Sequence, residues 1–442
     1  MKIINAWICR ITGNSVLPIF GDIIIEDGII KKIKEKHFSI KEIFRITDDK
    51  TGVLNAKAKV ITIPLINFHD HLYSRLAKGL PLSGSMDNFH NILKNLWWKV
   101  DRALDIDMIT ASAQLGLLES VKNGTTYIFD HHSSPDSAKG SLKLIADAIN
   151  EIGLSAVLCF ETTDRNGAVS ANEGINENKS LFQNYSNKNI KGLLGLHASF
   201  TVSDKTLSEA SLLVKKYNTG IHIHLCEDKI DREISEKNYN ASPVERLVKF
   251  DLINEKSILS HGIYLNEDDY EKIANYGSAV ALNLDSNMNN SVGLPDFKII
   301  PDEIPILMGT DGMHSSSAKS LKQIFLLYRH MGKSFDESFR FIQKIYFDQI
   351  KFVKRFFPDF TGLNSGDLAD MVIWDYIPLT PFTKDNFWGH FIYGILESRI
   401  SDVVKNGKFL MKDFSLLIDE DDYIINIHKE GNRLFNKFKE TN

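Results

Sequence analysis

Between residues 61 and 308 the chain alternates short apolar, β-branched runs with longer amphipathic stretches, and this alternation restricts the fold more than any other feature. Eight runs read as strands: Ile61–Ile66, Thr125–Phe129, Ser155–Phe160, Gly192–Leu196, Gly220–Leu225, Ser257–Ser260, Ala279–Leu282 and Ile304–Met308. Helical periodicity fills most intervals, as in Asp107–Lys122, Ser137–Ile152, Asp204–Tyr217, Pro243–Phe250 and Glu267–Tyr276. Strand, crossover helix, strand is the unit of a parallel sheet, because parallel neighbours need a long connection. Eight such units predict a (β/α)8 TIM-type barrel over residues 61–365. A doubly wound open sheet uses the same units and stays open on this evidence.

The flanks read differently. Asp22–Lys34 holds two apolar runs around Glu26-Asp27-Gly28, a hairpin signal within an all-β stretch of residues 1–60. After a helical stretch from Leu321 to Phe356, Ala369–Asp375 alternates as a strand does, and Val403–Leu410 contains the tight-turn pair Asn406-Gly407. Residues 1–60 and 366–442 are therefore expected to close a small β-sandwich from both ends of the chain, with a terminal helix over Ile425–Lys439. A formal net charge of −5 over 442 residues gives no reason to expect nucleic acid or an anionic membrane as partner. Three scattered cysteines, no signal-peptide pattern and no long apolar run suggest reduced thiols and a cytoplasmic protein.

In a parallel barrel the reactive groups sit at the C-terminal ends of the strands. Here the first strand is followed by His69-Asp70-His71 and the second by Asp130, His131 and His132. The fourth ends in His197, the fifth carries His222 and His224 ahead of Glu227, the sixth ends in His261 and the eighth in Asp311. Residues two apart in extended chain point the same way, so His69 and His71 can aim at one point. Imidazoles and a carboxylate meeting there suit zinc.

The stretches PLINFHDH (64–71), HIHLCE (222–227), SHGIYL (260–265) and MGTDG (308–312) resemble motifs of the amidohydrolase superfamily, in its amino-heterocycle deaminase and chlorohydrolase branch. HASFT (197–201) and SNMNN (286–290) are similar to shorter motifs of the same group, within which the chain resembles the SsnA-type aminohydrolases. The resemblance implies a metal-dependent hydrolase acting on carbon–nitrogen bonds other than peptide bonds. It implies His69, His71, His224 and Asp311 as metal ligands, Glu227 as acid/base, His261 and Asp311 as helpers in catalysis, and His197 at the substrate. His131 and Asn287 are further candidates for substrate contact. No lysine ends the fourth strand, so one divalent ion is expected, zinc with Fe(II) as the alternative.

The expected activity is hydrolytic deamination of an aromatic nitrogen heterocycle of purine type by metal-bound hydroxide, in a homodimer by resemblance. A second reading keeps the site but opens a cyclic amide or removes chloride. A third, from another class, is a non-catalytic binding or assembly subunit; the complete set of candidate ligands speaks against it. Trp97 and Trp98 read as core or subunit contact, His222 as packing beneath the site, and the lesser reading of Glu227 is a surface pair with Lys229 or Arg232. The branch often shows His-Asn-Pro after strand seven, where this chain has Leu282-Asn283-Leu284.

Overall fold

The computed structural model describes residues 1–39, 41 and 52–440. Five strands open the chain: β1 (Lys2–Thr12), β2 (Ser15–Glu26), β3 (Ile29–Glu35), β4 (Val53–Asn55) and β5 (Val60–Thr62). The barrel strands follow as β6 (Leu65–Asp70), β7 (Thr125–His132), β8 (Ser155–Phe160), β9 (Ile190–Gly192), β10 (Leu194–Ala198), β11 (Ile221–Leu225), β12 (Ile258–His261), β13 (Ala279–Leu282) and β14 (Ile306–Met308). The last four are β15 (Met371–Trp374), β16 (Ile400–Lys405), β17 (Lys408–Lys412) and β18 (Ser415–Leu416).

Strands from both ends of the chain share one nine-stranded sheet, ordered β18-β17-β16-β15-β5-β1-β2-β3 with β4 also paired to β1. Both hairpins expected from sequence form. Their turns place Asp27 and Gly28 at φ 52° and 78°, and Asn406 and Gly407 at 49° and 72°. Paired left-handed residues give the turn twist that antiparallel strands prefer. A Cβ on Gly407 would lie 2.8 Å from the Gly28 Cα, so the two turns meet glycine to glycine.

The barrel strands form a five-stranded parallel sheet, β10-β11-β12-β13-β14, and a four-stranded sheet, β6-β7-β8-β9. Single-residue parallel bridges, Thr162–Leu196 and Asp70–Asp311, span the two gaps between these sheets. The second bridge matters for chemistry: the N–H groups of Thr310 and Asp311 donate to the His69 carbonyl at 3.0 and 2.9 Å, which sets the first and last strand ends side by side. The arrangement is of the TIM-barrel type.

Two expected strands are corrected. The run Ile61–Ile66 is not one strand but two, β5 and β6, with Ile63-Pro64 between them. Proline has no N–H to give a ladder, so β5 pairs with β1 and β15 while β6 begins afresh at Leu65. The run Gly192–Leu196 breaks likewise at Leu193: β9 pairs with β8, and β10 with β11.

The chain divides into two compact units. One, Met1–Ile66, Glu119–Tyr127 and Ser316–Asp419, contains the nine-stranded sheet. The other, Asn67–Leu118, Ile128–Ser315 and Glu420–Asn442, contains all the candidate site residues. The terminal helix, Glu420–Glu440, belongs to this second unit, burying Leu434 and Phe438 and donating from Lys437 to the Ala103 carbonyl at 2.6 Å. No helix among the described residues is long and apolar enough to cross a membrane.

Candidate active site

The strand ends bring His69, His71, His224, His261 and Asp311 to one point. One Asp311 carboxylate oxygen lies 2.8 Å from His71 Nε2 and 3.6 Å from His69 Nε2; the other lies 4.0 Å from His261 Nε2. His71 Nε2 and His224 Nε2 are 3.2 Å apart. Ligand atoms of His69, His224, His261 and Asp311 all fall within 4.8 Å of one another. The buried Nε2 atoms of His69 and His261 have no hydrogen-bond partner. A buried polar atom without a partner costs about 1–3 kcal/mol, so inward-facing nitrogens around a carboxylate fit a cation that would satisfy them.

The ring tautomers agree with this. His71 Nδ1 donates to the His131 carbonyl at 2.6 Å, and His224 Nδ1 to the His197 carbonyl at 2.9 Å. Each ring thereby keeps its Nε2 lone pair for the centre. His69 Nδ1 meets the ring of His222 at 2.8 Å, and His222 in turn meets Ser260 Oγ at 3.3 Å, so His222 supports the ligand shell from beneath. Burial pushes the His69 pKa down to about 3 and carries His224 well below the ordinary histidine value. Burial acts on His71 too, but the adjoining Asp311 carboxylate raises its pKa to about 9. Asp311 is itself held well below the carboxylate range by His69 and His71, against its burial. Neutral imidazoles and an ionised carboxylate are the forms that bind metal, so His69, His224 and Asp311 stand ready, while His71, protonated against Asp311 without an ion, would release that proton on binding one.

Cys226, His261 and Asp311 have φ of 51°, 76° and 53°, left-handed values that side chains other than glycine's rarely adopt. Gly309 allows the crowding: a Cβ there would sit 2.3 Å from Asn283 Oδ1 and 2.6 Å from the His69 Cβ.

Glu227 does not pair with Lys229 or Arg232; Arg232 is taken by Asp269 and Glu236. Instead one Glu227 oxygen lies 3.6 Å from His261 Nε2, and the other accepts from Asn290 at 3.4 Å. Burial, with Asp311 adding to it and His261 opposing it, pushes the Glu227 carboxyl up to about 7.

A cavity opens over this cluster, with His71, His224, Glu227 and Asp311 on one side and Asp101, Glu161, His197 and Trp98 among its other walls. His197 lines it as expected, its Nδ1 held by Thr201 at 2.7 Å. His131 and Asn287, expected at the substrate, are turned to other partners. His131 Nε2 meets the carbonyls of Leu196 and His222, and Asn287 Oδ1 accepts from His261 Nδ1 at 2.8 Å. Asn290, one helical turn on, lines the cavity in its place. Trp97 and Trp98, expected as core or subunit contact, are cavity walls as well as packing.

The sequence reading missed Glu161, Asp101 and Arg165. Arg165 donates to Asp101 and, at 3.3 Å, to Glu161, and its guanidinium lies 5.2 Å from the Trp98 ring centre. Glu161 directly follows the third apolar run, so the strand-end rule that found His197 and His261 also points to it. Asp101 and Arg165 had no such signal, lying on a helix and a loop.

A TIM-type barrel with imidazoles, a carboxylate and a buried acid at its strand ends defines a hydrolase dependent on a divalent metal. The chain belongs to the amidohydrolase family, whose profile matches residues 60–410. It is 28% identical to the 5'-deoxyadenosine deaminase of Methanococcus aeolicus, over 95% of this chain and 97% of that one. It is 30% identical to the 5-methylthioadenosine/S-adenosylhomocysteine deaminase of Caldicellulosiruptor saccharolyticus, over 71% and 69%. The atrazine chlorohydrolase TrzN of Arthrobacter aurescens TC1, solved in complex with zinc, shares the fold with a TM-score of 0.78 at 17% identity, covering 97% of this chain and 99% of that one.

Proposed function

We propose that the chain is a zinc-dependent deaminase of a 6-aminopurine nucleoside, a class suggested by the names of its relatives. The observation that carries the reading is the Glu227 carboxyl, buried beside the ligand cluster and pushed up to about 7, so that it can hold a proton near neutrality. His69, His71, His224 and Asp311 would hold one ion. When bound there, a divalent ion supplies Lewis acidity and lowers the pKa of its water to about 7.

The chain's own groups do the rest. Glu227 donates its proton to the ring nitrogen beside the carbon under attack. His261 donates its Nδ1–H in a hydrogen bond to the Asn287 oxygen, which leaves Nε2 free to accept a proton from the attacking water or hold that water in place. Asp311 and Glu227 both face His261 Nε2, so one proton of the attacking water can pass by way of His261 to the amino group, which departs as ammonia, and the other returns to Glu227 as the ring carbonyl forms. His197 presents Nε2 to the bound ring. The same reading takes residues 1–60 and 366–442 as the two parts of a small β-sandwich domain plus a terminal helix, residues 61–365 as the barrel, and the active form as a cytoplasmic homodimer.

The test is a screen of the zinc-loaded protein against adenosine-type nucleosides, guanine, pterins and aminopyrimidines, with ammonia measured and the products weighed. Deamination releases ammonia and keeps the ring. Ring opening adds the mass of one water, and dechlorination releases halide. Turnover of cyclic amides or chlorinated rings without ammonia from any amino heterocycle would replace this reading.

A further inference from the structure

Past β13 the chain turns into a short helix, Leu284–Asn289, and two amides of this turn reach the two groups that move protons. Asn287 accepts from His261 Nδ1 at 2.8 Å. Asn290, three residues on and so beside it on one helical face, donates from Nδ2 to Glu227 Oε1 at 3.4 Å. The orientation of the Asn290 amide follows from its neighbours: Oδ1 accepts from Asn289 Nδ2 at 3.1 Å, and Nδ2 also donates to Ser286 Oγ at 3.3 Å. The Asn290 backbone N–H donates to the Ser286 carbonyl at 2.8 Å, so the residue is held at both ends. Asn290 is buried and lines the catalytic cavity.

Glu227 has no other hydrogen-bond donor among the described residues, and its second oxygen, Oε2, lies 3.6 Å from His261 Nε2. The two oxygens of a carboxylic acid are unlike: one is a hydroxyl that donates, the other a carbonyl that only accepts. An N–H aimed at Oε1 pairs with the carbonyl oxygen, which puts the acid proton on Oε2. His261 agrees with this placing, since with its own proton on Nδ1 it turns a lone pair toward Oε2. When the O–H bond breaks and the proton goes to the ring nitrogen, the electron pair stays on the carboxylate, and the Asn290 N–H then faces a full negative charge. Hydrogen bonds to charged acceptors are shorter and roughly twice as strong as neutral ones, so this contact stabilises the state after transfer more than the state before it.

We propose that Asn290 is a positioning residue for Glu227: its amide N–H marks Oε1 as the carbonyl oxygen, keeps the acid proton on Oε2, and steadies the carboxylate once that proton has left. The inference rests on the deaminase reading above, in which Glu227 gives that proton to the ring and takes one back.

The experiment compares the zinc-loaded full chain with Asn290→Leu, which keeps the size of the side chain and removes the donor, with Glu227→Gln, and with both changes together. For the amino heterocycle that releases ammonia fastest, Asn290→Leu should lower kcat about tenfold, the margin between a neutral and a charge-assisted hydrogen bond, and leave KM within about twofold. Added to Glu227→Gln, the same change should cost less than about twofold, because no acid proton is left to place. A kcat for Asn290→Leu within about twofold of the native chain, or losses that multiply in the double variant, overturn the proposal. A second readout needs no substrate. The infrared carboxyl band that vanishes in Glu227→Gln at acid pH belongs to Glu227, and in Asn290→Leu it should move to higher wavenumber as the carbonyl oxygen loses its donor. An unmoved band removes the role of Asn290 whether or not a substrate is known. A shifted band with no ammonia from any heterocycle keeps the placing of the proton and removes the deaminase reading. Should Asn290→Leu fail to fold or lose its zinc, Asn290→Ala carries the same two expectations.

Discussion

Replacing Glu227 by glutamine isolates the proton-transfer step from everything else in the site. The amide keeps the size of the carboxyl, and its oxygen can still accept from Asn290, now at 3.4 Å. Its nitrogen can face His261 Nε2, now 3.6 Å from the second carboxylate oxygen. Burial already disfavours the charged form of this carboxyl, which is why its pKa rises to about 7. A neutral amide removes that cost, so Tm should move by about 3 °C or less. What the amide cannot do is give up and retake a proton. General acid/base help of this kind is worth about 10²–10⁴-fold, or roughly 3–5 kcal/mol of barrier. Glu227→Gln should therefore retain its metal, measured by plasma mass spectrometry, and lose kcat by that factor in an ammonia-release assay at saturating substrate. A loss of less than about tenfold would refute the assignment, because no acid/base role fits so small an effect. Loss of metal in parallel would refute it differently, by making Glu227 a ligand.

Four further outcomes follow from the structure. His69→Ala and Asp311→Ala should each leave the purified protein with little metal per chain, and a full complement in either would place the ligands elsewhere; chelation of the native protein should lower Tm, since metal bound only to the folded state stabilises it. The Arg75–Asp70 pair has neither side chain exposed, so Arg75→Met should destabilise by about 3–5 kcal/mol in a denaturant titration, and a change under about 1 kcal/mol would show the pair contributes little. Burial raises the Asp231 carboxyl from 3.8 to about 6 despite N–H donors from Cys226 and Phe200. The folded chain then holds a proton that the unfolded chain has shed, so native stability relative to Asp231→Asn should fall as pH rises from about 4 to 6, by up to about 3 kcal/mol, and a flat difference would contradict the raised pKa.

Much of this molecule is written in local pattern. Strand and helix follow from the period of apolar residues, which adjacent residues set between themselves. The Asn406-Gly407 and Asp27-Gly28 turns follow from the left-handed backbone such residues tolerate. The candidate metal donors were legible for a related reason: reactive groups of a parallel barrel stand at its strand ends, and His69, His71, His224 and Asp311 all lie there. Pro64 was equally visible, yet only the pairing of β5 with β1 and β15 showed that it divides one apolar run between two sheets.

Orientation is what local pattern could not carry. Nothing near Asn287 in sequence says that its oxygen faces His261 and not a substrate, or that His131 gives its N–H to the carbonyls of Leu196 and His222. Asp101, Arg165 and Glu161 become one wall because a helix, a loop and a strand end converge. Residue identity and spacing determined which groups this protein has for holding a metal and moving protons. Tertiary structure alone decided which ring nitrogens face inward and which charged groups pair beside the cavity, because those depend on contacts between residues far apart in the chain.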